Sequence, residues 1–244
     1  MLSKGTIIAT STPPGSGAIS IIRISGSESI NLTDSFFKSR SGIKLSSSES
    51  FKLILGDFIA NKKIIDEVLI SVFKEPNSYT GENVIEISCH GSNYIMQKII
   101  KSYMDKGVDL AQPGEFTLRA YLNKKLDLSQ AEAVSDLIAS ETKSEHKLAI
   151  NQIKGGFSNA IELIRQKLIQ FSSLIELELD FSEEDVEFAN RKDLHNLVNE
   201  LKNKLSSLIN SFNYGNVIKD GISVTIAGRP NSGKSSLINA LLNE

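Results

Sequence analysis

The sequence predicts three parts in order: an α/β (α+β) N-terminal domain, an all-α helical domain, and the first strand, P-loop and helix of a Rossmann-like P-loop domain. Short β-rich runs alternate with turn residues up to about residue 115, and long amphipathic segments follow them. A glycine-rich phosphate-binding motif then stands near the end. With 244 residues, the chain is long enough for one large domain or two ordinary ones.

The composition is that of an ordinary soluble globular protein, with 40% apolar and 23% charged residues. A net charge of −2 provides no basic surface for nucleic acid, although a partner subunit could supply one. The single cysteine, Cys89, excludes an intramolecular disulfide and fits a reducing compartment. The N-terminus lacks the apolar core of a signal peptide, and no apolar run is long enough to cross a membrane. We therefore expect a cytoplasmic protein without membrane association.

Strand patterns dominate the first domain, where Ser, Gly, Pro and Asn separate short β-rich runs. These runs are residues 6–10, 18–24, 51–59, 64–73 and 84–88. Residues 92–106 predict the one helix of this region, because Ile95, Ile99 and Tyr103 recur on one face. The polar stretch 39–50 predicts a mobile surface loop.

Three long helices are predicted after residue 113. A capping-box pattern at 129–132 marks the start of the first, which we expect to continue to about residue 154. The second covers 157–179 and the third covers 194–212, with Gly215 able to end it. A helical bundle is favoured over a coiled coil, because the apolar stripe is broader than a strict a/d seam.

Residues 228–235 match the phosphate-binding pattern GxxxxGK[ST], between a strand predicted at 222–226 and an apolar helix start. Lys234 can reach the β- and γ-phosphates of a nucleoside triphosphate, and Ser235 is placed to coordinate Mg²⁺. Amides at the start of the following helix add the positive end of its dipole. An ordinary glycine-rich turn before a helix is the alternative, but the flanking strand and helix argue against it.

The remaining parts of a nucleotide-hydrolysing site have no room in the eight residues after Ser236. A switch threonine, a second acidic metal ligand and a base-recognition motif are needed there. We therefore expect the chain to be part of a longer protein, cut shortly after the P-loop. We also expect no catalytic residue within it and no GTP hydrolysis by it alone.

Six blocks, in order along the whole chain, together resemble the MnmE (TrmE) family of tRNA modification GTPases. They are residues 10–26, 76–86, 89–91, 113–120, 122–133 and 226–231. The resemblance implies a folate-binding and dimerisation domain at 1–118, the first part of a helical domain at 119–219, and the start of a G domain at 220–244.

Members of this family act as homodimers with an FAD-dependent subunit in a heterotetramer. Together they install an aminomethyl or carboxymethylaminomethyl group on C5 of the wobble uridine, U34, of certain tRNAs. The implied cofactors are GTP, Mg²⁺, K⁺ and a tetrahydrofolate derivative in its 5-formyl or methylene form.

The resemblance also implies a folate site formed by Arg23, Glu86 and Lys125. A guanidinium on a rigid strand suits a carboxylate or a pterin edge, and a strand carboxylate can accept the paired N–H donors of a pterin. Glu82, in the turn before Glu86, is the rival carboxylate, and Lys124 is the less favoured neighbour of Lys125. A solvent-facing arginine and a turn-solvating glutamate are the plain alternatives.

The same resemblance implies a nucleotide site at Asn231, Ser232, Gly233, Lys234, Ser235 and Ser236. In the family, an asparagine at the position of Asn231 holds K⁺ near the phosphates, where the added charge replaces an arginine finger. A plain turn-forming asparagine is the alternative.

Other reactive-looking residues predict no site. Cys89 and His90 are adjacent on a strand and point to opposite faces, which makes them poor partners in catalysis, so we expect Cys89 in the core. His146 and His195 lack metal-ligand spacing, and the acidic run 183–185 is typical of a solvated connection.

Two other functions remain open from the sequence. The chain could be a non-catalytic folate-binding dimerisation module with an inert P-loop remnant. It could also belong to a ribosome-assembly GTPase with an unrelated N-terminal domain.

Overall fold

A computed structural model of the chain describes residues 5–180, 191–220, 224–229 and 232–242. These residues divide into two compact units. The first comprises Met1–Ile138 with Gln152–Gly155, and the second comprises Ala139–Asn151 with Gly156–Glu244.

A seven-stranded sheet organises the first unit. Its strands are β1 (Ile7–Thr10), β2 (Gly17–Ser25), β3 (Phe37–Ser39), β4 (Lys52–Ala60), β5 (Lys63–Phe73), β6 (Val84–Gly91) and β7 (Asp109–Leu110). The spatial order is β3-β4-β5-β6-β2-β1-β7, and every neighbouring pair is antiparallel except β1 with β7. The five runs predicted from the sequence correspond to β1, β2, β4, β5 and β6.

Helices α1 (Ser29–Phe36) and α2 (Asn93–Met104) cover one face of this sheet and form the core with it. Side chains alternate between the two faces of a strand, so Ile85, Ile87 and Cys89 of β6 enter this core. The intervening residues Glu86, Ser88 and His90 lie on the second face. The hydroxyl of Tyr103 on α2 is buried and donates a hydrogen bond to Thr33 of α1 at 2.8 Å.

Two ordered segments of this unit were not predicted, because their sequences are polar. The stretch 39–50, predicted as a mobile loop, includes the end of β3 and a 3₁₀ turn at Leu45–Ser47. Leu45 is fully buried, and the carboxylate of Asp34 accepts the amide N–H groups of Leu45 and Ser46. One buried leucine and one aspartate therefore anchor a segment whose composition suggested mobility. Helix α1 was also not predicted, because it is short and polar.

Two short helices follow the sheet: α3 (Glu115–Leu122) and α4 (Leu128–Ala139). The predicted capping box at 129–132 is wrong by two residues. The Asp127 carboxylate accepts the Gln130 amide at 2.8 Å, and the Gln130 side chain accepts the Asp127 amide at 2.9 Å. Asp and Gln form the same reciprocal pair as Ser and Glu, so two candidate boxes overlapped and the earlier one caps the helix.

The helix predicted to run unbroken to about residue 154 is interrupted, and a separate helix, α5 (Lys143–Ile153), follows the break. A second capping box explains the break. The amide of Glu145 donates to the Thr142 hydroxyl, while the Glu145 carboxylate accepts the amides of Glu141 and Thr142. These bonds favour a new helix start inside the segment.

Long helices α6 (Gly156–Asp180) and α7 (Arg191–Asp220) make up most of the second unit. Lys167 on α6 forms an ion pair with Glu200 on α7 at 2.5 Å. Helix α7 continues five residues past Gly215, which does not end it as predicted, because glycine is also tolerated within a helix at a modest cost. No helix among the described residues combines the length and apolar character needed to cross a bilayer.

The predicted strand at 222–226 does not form in its described part. Residues 224–229 have no regular structure, and residues 222 and 223 lie outside the described ranges. A strand requires a neighbour for its backbone hydrogen bonds, and the sheet of the first unit includes no residue of this segment. The predicted helix after the P-loop is present as α8 (Lys234–Leu242).

Candidate functional site

Arg23 and Glu86 are direct cross-strand partners on β2 and β6. The guanidinium donates a hydrogen bond from Nε to one carboxylate oxygen of Glu86 at 2.8 Å, and its Nη2 lies 2.7 Å from the same oxygen in an ion pair. Both side chains are about one-quarter exposed. Two residues predicted to bind the same ligand are thus adjacent and partly open on the second face of the sheet.

Two aromatic rings flank this ion pair. The guanidinium carbon of Arg23 lies 5.2 Å from the ring centre of Tyr79 and 5.5 Å from that of Phe116. Tyr79 belongs to the loop before β6, whereas Phe116 belongs to the first turn of α3. The Tyr79 hydroxyl shares a 2.8 Å hydrogen bond with Thr117, which joins the loop to α3. Flat apolar faces beside a charged pair suit a planar heteroaromatic ligand with polar edges.

Local backbone geometry places both aromatic residues. Gly81 has φ = 79°, which allows the loop carrying Tyr79 to turn sharply back towards β6. Gly114 has φ = 77° and directly precedes the first residue of α3, so it sets the direction of that helix. The side-chain amide of Asn123 donates to the carbonyl of Thr80 at 2.8 Å and holds the loop against the end of α3.

Glu82, the rival ligand to Glu86, is engaged in a different contact. Its carboxylate accepts hydrogen bonds from Arg119 at 3.1 and 3.2 Å and from the Ser25 hydroxyl at 2.7 Å. Arg119 is nearly buried and also bonds Glu115 at 3.2 Å. The contacts of Glu86 with Arg23, by contrast, involve only one of its oxygens, so of the two carboxylates Glu86 is the one with an oxygen outside these contacts.

Lys125, the third predicted folate residue, lies in the connection between α3 and α4 and contacts the loop that carries Tyr79. Its ammonium donates to the carbonyl of Pro76 at 3.1 Å, and its side chain would contact a Cβ added to Gly81. With Lys124, Asp127 and Gln130 it also lines an open depression of about 560 Å³ between α3 and α4. The structure therefore joins Arg23 and Glu86 directly and connects Lys125 to the loop that carries Tyr79.

Cys89 lies in the core, as predicted, and His90 is exposed at the end of β6. Burial raises the pKa of the Cys89 thiol to about 11, with a smaller contribution from the negative charge of Asp66. Asp66 accepts hydrogen bonds from both the backbone amide and the Nδ1 side of His90. The cysteine is thus kept protonated in the core, and the imidazole is held by a carboxylate at the strand end.

The described part of the P-loop is shaped by glycine and by Lys234. Gly233 has φ = 80°, and a Cβ on Gly228 would lie 2.9 Å from the Ser232 hydroxyl, so a side chain at Gly228 would crowd the loop. The Lys234 ammonium donates to the carbonyls of Gly228 and Arg229 at 3.0 and 2.8 Å.

Ser235 and Ser236 lie exposed in the first turn of α8. A lysine on the loop and hydroxyls at a helix start have the chemistry that a Mg²⁺-bound triphosphate requires. Asn231, the predicted K⁺ ligand, lies outside the described residues, as does the acidic run 183–185. Within the part of the chain that the structure describes, no three His, Cys, Asp or Glu side chains come together as a metal site would require.

Sequence reasoning missed Tyr79, Phe116 and Arg119 as members of the site. All three lie within the blocks that carry the family resemblance, at 76–86 and 113–120. Their position in these blocks was the one signal in the sequence that could have pointed to them.

Two family models together cover almost the whole chain. One, described as the N-terminus of the GTP-binding protein TrmE, matches residues 6–125. The other, the MnmE helical domain, matches residues 128–240.

Curated relatives agree with these models. The tRNA modification GTPase MnmE of Flavobacterium johnsoniae is 57% identical over all 244 residues, and that of Flavobacterium psychrophilum is 54% identical. The protein of the same name from Bacteroides fragilis is 51% identical over the same length. The chain spans about half the length of these relatives, between 52% and 53% of each. Because the two models match residues 6–125 and 128–240 and the alignment with these relatives covers all 244 residues, the chain belongs to the MnmE (TrmE) family.

Proposed function

We propose that this chain binds a reduced folate at the Arg23–Glu86 pair and nucleotide phosphates at its P-loop, as part of a GTPase of tRNA wobble-uridine modification. The observation that carries the proposal is the cross-strand ion pair, partly exposed and flanked by Tyr79 and Phe116. A pterin is planar, presents paired N–H donors along one edge, and fits between a carboxylate and aromatic faces.

Each residue at this site has a distinct role. Glu86 accepts the paired N–H donors of the pterin with its two carboxylate oxygens, one of which also accepts from Arg23. Arg23 orients that carboxylate and offers its remaining N–H groups to the ring edge. Lys125, exposed near the loop carbonyl of Pro76, attracts the carboxylates of the glutamate tail. The bound folate, in its 5-formyl or methylene form, would supply the one-carbon unit.

The P-loop residues from Ser232 to Ser236 bind the phosphates of GTP. Lys234 contributes a point charge, and Ser235 supplies a hydroxyl to Mg²⁺. The conformational freedom of Gly233 and the tight approach at Gly228 support this assignment, because a side chain there would fill the space against which a phosphate packs. Asn231 as a ligand of K⁺ belongs to the same proposal.

The larger assembly is also part of the proposal: a cytoplasmic homodimer that acts on tRNA with an FAD-dependent subunit. Exposed leucine and isoleucine side chains on the second face of the sheet support a dimer in which a second copy covers that face. They are Ile19, Leu53, Leu55 and Leu69. Light scattering at micromolar concentration tests this, and a monomeric mass would contradict it.

Calorimetry with 5-formyltetrahydrofolate tests the folate site. We expect saturable binding by the chain and loss of that binding in Arg23→Ala. The matched control is Arg40→Ala. This variant removes an exposed arginine that directly follows β3 and forms an ion pair with Glu67. If the chain is folded and no heat of binding appears, the folate assignment is wrong.

Nucleotide binding separates this proposal from a folate-binding dimerisation module whose P-loop is inert. We expect a fluorescent GTP analogue to bind the chain in Mg²⁺ and K⁺, and Lys234→Ala to abolish the signal. We also expect no turnover of GTP by the chain alone. Absence of binding, or binding that does not depend on Lys234, would favour the inert module.

A further inference from the structure

Arg119 lies at the centre of a compact polar cluster beside the Arg23–Glu86 pair. Its side chain is 7% exposed, and it bonds two carboxylates, Glu115 at 3.2 Å and Glu82 at 3.1 Å. Glu115 is itself 3% exposed, and its other oxygen accepts the amide of Gln112. A nearly buried guanidinium between two carboxylates is held in a single orientation, because each donor has a fixed direction.

Three segments surround the guanidinium of Arg23: strand β2, the loop with Tyr79, and the first turn of α3 with Phe116. Each of them is bonded to this cluster. Strand β2 joins through Ser25, which donates to Glu82 and shares a hydrogen bond with Thr80, each at 2.7 Å. Ser25 is two residues from Arg23 and lies on the same face of the strand.

The other two segments join through charged side chains. The loop carrying Tyr79 joins through Glu82, and helix α3, whose first turn carries Phe116, joins through Glu115 and Arg119.

We infer that Arg119 is a positioning residue: through Glu82 and Glu115 it sets the placement of Tyr79 and Phe116 around Arg23, and thereby the affinity of the site for a planar ligand. The inference rests on the proposed folate site for the identity of that ligand. It does not rest on it for the placement of the rings, which is a property of the chain itself.

The geometry explains why one residue can hold both rings. Tyr79 and Phe116 come from segments more than thirty residues apart, and the Tyr79–Thr117 hydrogen bond is exposed and neutral. An exposed neutral bond competes with water and contributes little orientation by itself. The contacts of Arg119 are charged, and its guanidinium is 7% exposed beside Glu115 at 3% and Glu82 at 27%. Charged and partly shielded bonds are stronger than an exposed neutral one, so they are the stronger constraint on the relative position of loop and helix.

Arg119→Lys is the informative variant, because it keeps the charge but removes the planar fork that reaches both carboxylates. The first measurement uses no folate. The Nε–H signal of Arg23 is recorded by ¹⁵N-edited NMR and assigned by its disappearance in Arg23→Lys. The hydrogen bond to Glu86 and the two flanking rings both shift this signal from the position of an ordinary arginine, and only the ring contribution depends on where Tyr79 and Phe116 lie. We expect Arg119→Lys to move it towards that ordinary position while the amide spectrum of the core strands stays unchanged.

The second measurement is a double-mutant cycle with 5-formyltetrahydrofolate. We expect Arg119→Lys to weaken binding on the order of tenfold in the otherwise unchanged chain, and to have little further effect in Tyr79→Ala. Arg40→Lys, at an exposed ion pair of the same unit, is the matched control and should alter neither measurement.

The outcomes distinguish the two ideas. If Arg119→Lys leaves the Arg23 signal in place in a folded chain, the positioning role is wrong, whether or not folate binds. If the signal moves but the unchanged chain binds no folate, the positioning role stands and the proposed ligand is wrong. Equal weakening by Arg119→Lys with and without Tyr79 would also overturn the inference, because the effect would not pass through that ring.

Discussion

The guanidinium of Arg23 and the carboxylate of Glu86 form a cross-strand ion pair at 2.7 Å on the face of the sheet opposite the α1–α2 core. The two residues are 63 positions apart in the chain and become neighbours only through the antiparallel pairing of β2 with β6. Neither is fully buried, so the pair costs little desolvation and remains accessible to a ligand.

Glu86→Gln should weaken folate binding more than it weakens the fold. The neutral amide cannot accept two N–H donors as a carboxylate does, and hydrogen bonds to charged groups contribute about 1.5–3 kcal/mol. The expected loss of affinity is therefore on the order of tenfold or more. The change in unfolding free energy should stay within about 1 kcal/mol, as for other partly exposed ion pairs.

Calorimetry and urea denaturation measure these two quantities. Glu67→Gln is the matched control, because Glu67 on β5 also forms an exposed ion pair with an arginine, Arg40. Equal loss of affinity in both variants would contradict a specific role for Glu86.

Gly91→Ala should destabilise the first unit. A Cβ at Gly91 would lie 2.4 Å from the carbonyl oxygen of Gly17, where β2 and β6 approach closely beside an irregularity in their register. Backbone has to move to relieve that contact, so we expect a cost of about 1–3 kcal/mol in urea denaturation. Gly17→Ala is the control on the opposite strand, since its Cβ would meet nothing closer than 3.8 Å. Comparable losses in both variants would show that the close approach is not the cause.

Cys89 should be almost unreactive towards thiol reagents in the folded protein. Its side chain is 3% exposed, and burial raises its pKa to about 11. At pH 8 only about one molecule in a thousand would then carry a thiolate, which is the reactive form. Labelling with a disulfide reagent should therefore be slow in buffer and fast in guanidinium chloride. Rapid labelling of the native chain would mean that β6 opens or that the cysteine is accessible.

The first turn of α5 should lose its capping bonds in acid at a pH below the usual pKa of a glutamate side chain. Hydrogen bonds from the Glu141 amide, above all, and from Thr142 lower the pKa of Glu145. Because folding lowers this pKa, the stabilisation is present above the usual glutamate range and is lost as pH falls through the lowered value.

Amide chemical shifts of Glu141 and Thr142, followed from neutral to acidic pH, test this prediction. In Glu145→Gln the side-chain oxygen can still accept the bonds from Glu141 and Thr142. It carries no titratable proton, so the pH dependence of these two shifts should disappear. A titration that persists in the variant would assign the effect to another carboxylate.

The fold was predicted well where side-chain periodicity was strong. The principal strands follow from alternation, because β-branched and apolar residues at every second position can bury only one face of a sheet. Helix α2 follows from its spacing of three and four residues. Helix α1 and the Leu45–Ser47 turn were missed, because their few buried residues, Ile30 and Leu45 among them, are too sparse to show a period.

Helix boundaries were predicted less well, for a local reason. Asp127, Ser129 and Thr142 all have the side-chain oxygen of an N-cap, and the sequence does not rank them. The structure selects Asp127 with Gln130, and Thr142 with Glu145, by the reciprocal bonds that each pair completes.

By itself, the sequence determined the order of the domains, the P-loop pattern around Lys234, and the presence of Arg23, Glu86 and Lys125 in segments typical of the MnmE family. These are properties of local spacing and of residue type, and they can be read without the distances between residues in the folded protein. Only the tertiary structure decided that Arg23 pairs with Glu86 and that Glu82 is engaged by Arg119. Strand register and the docking of α3 bring residues from three distant segments within hydrogen-bond range, and no local pattern encodes that proximity.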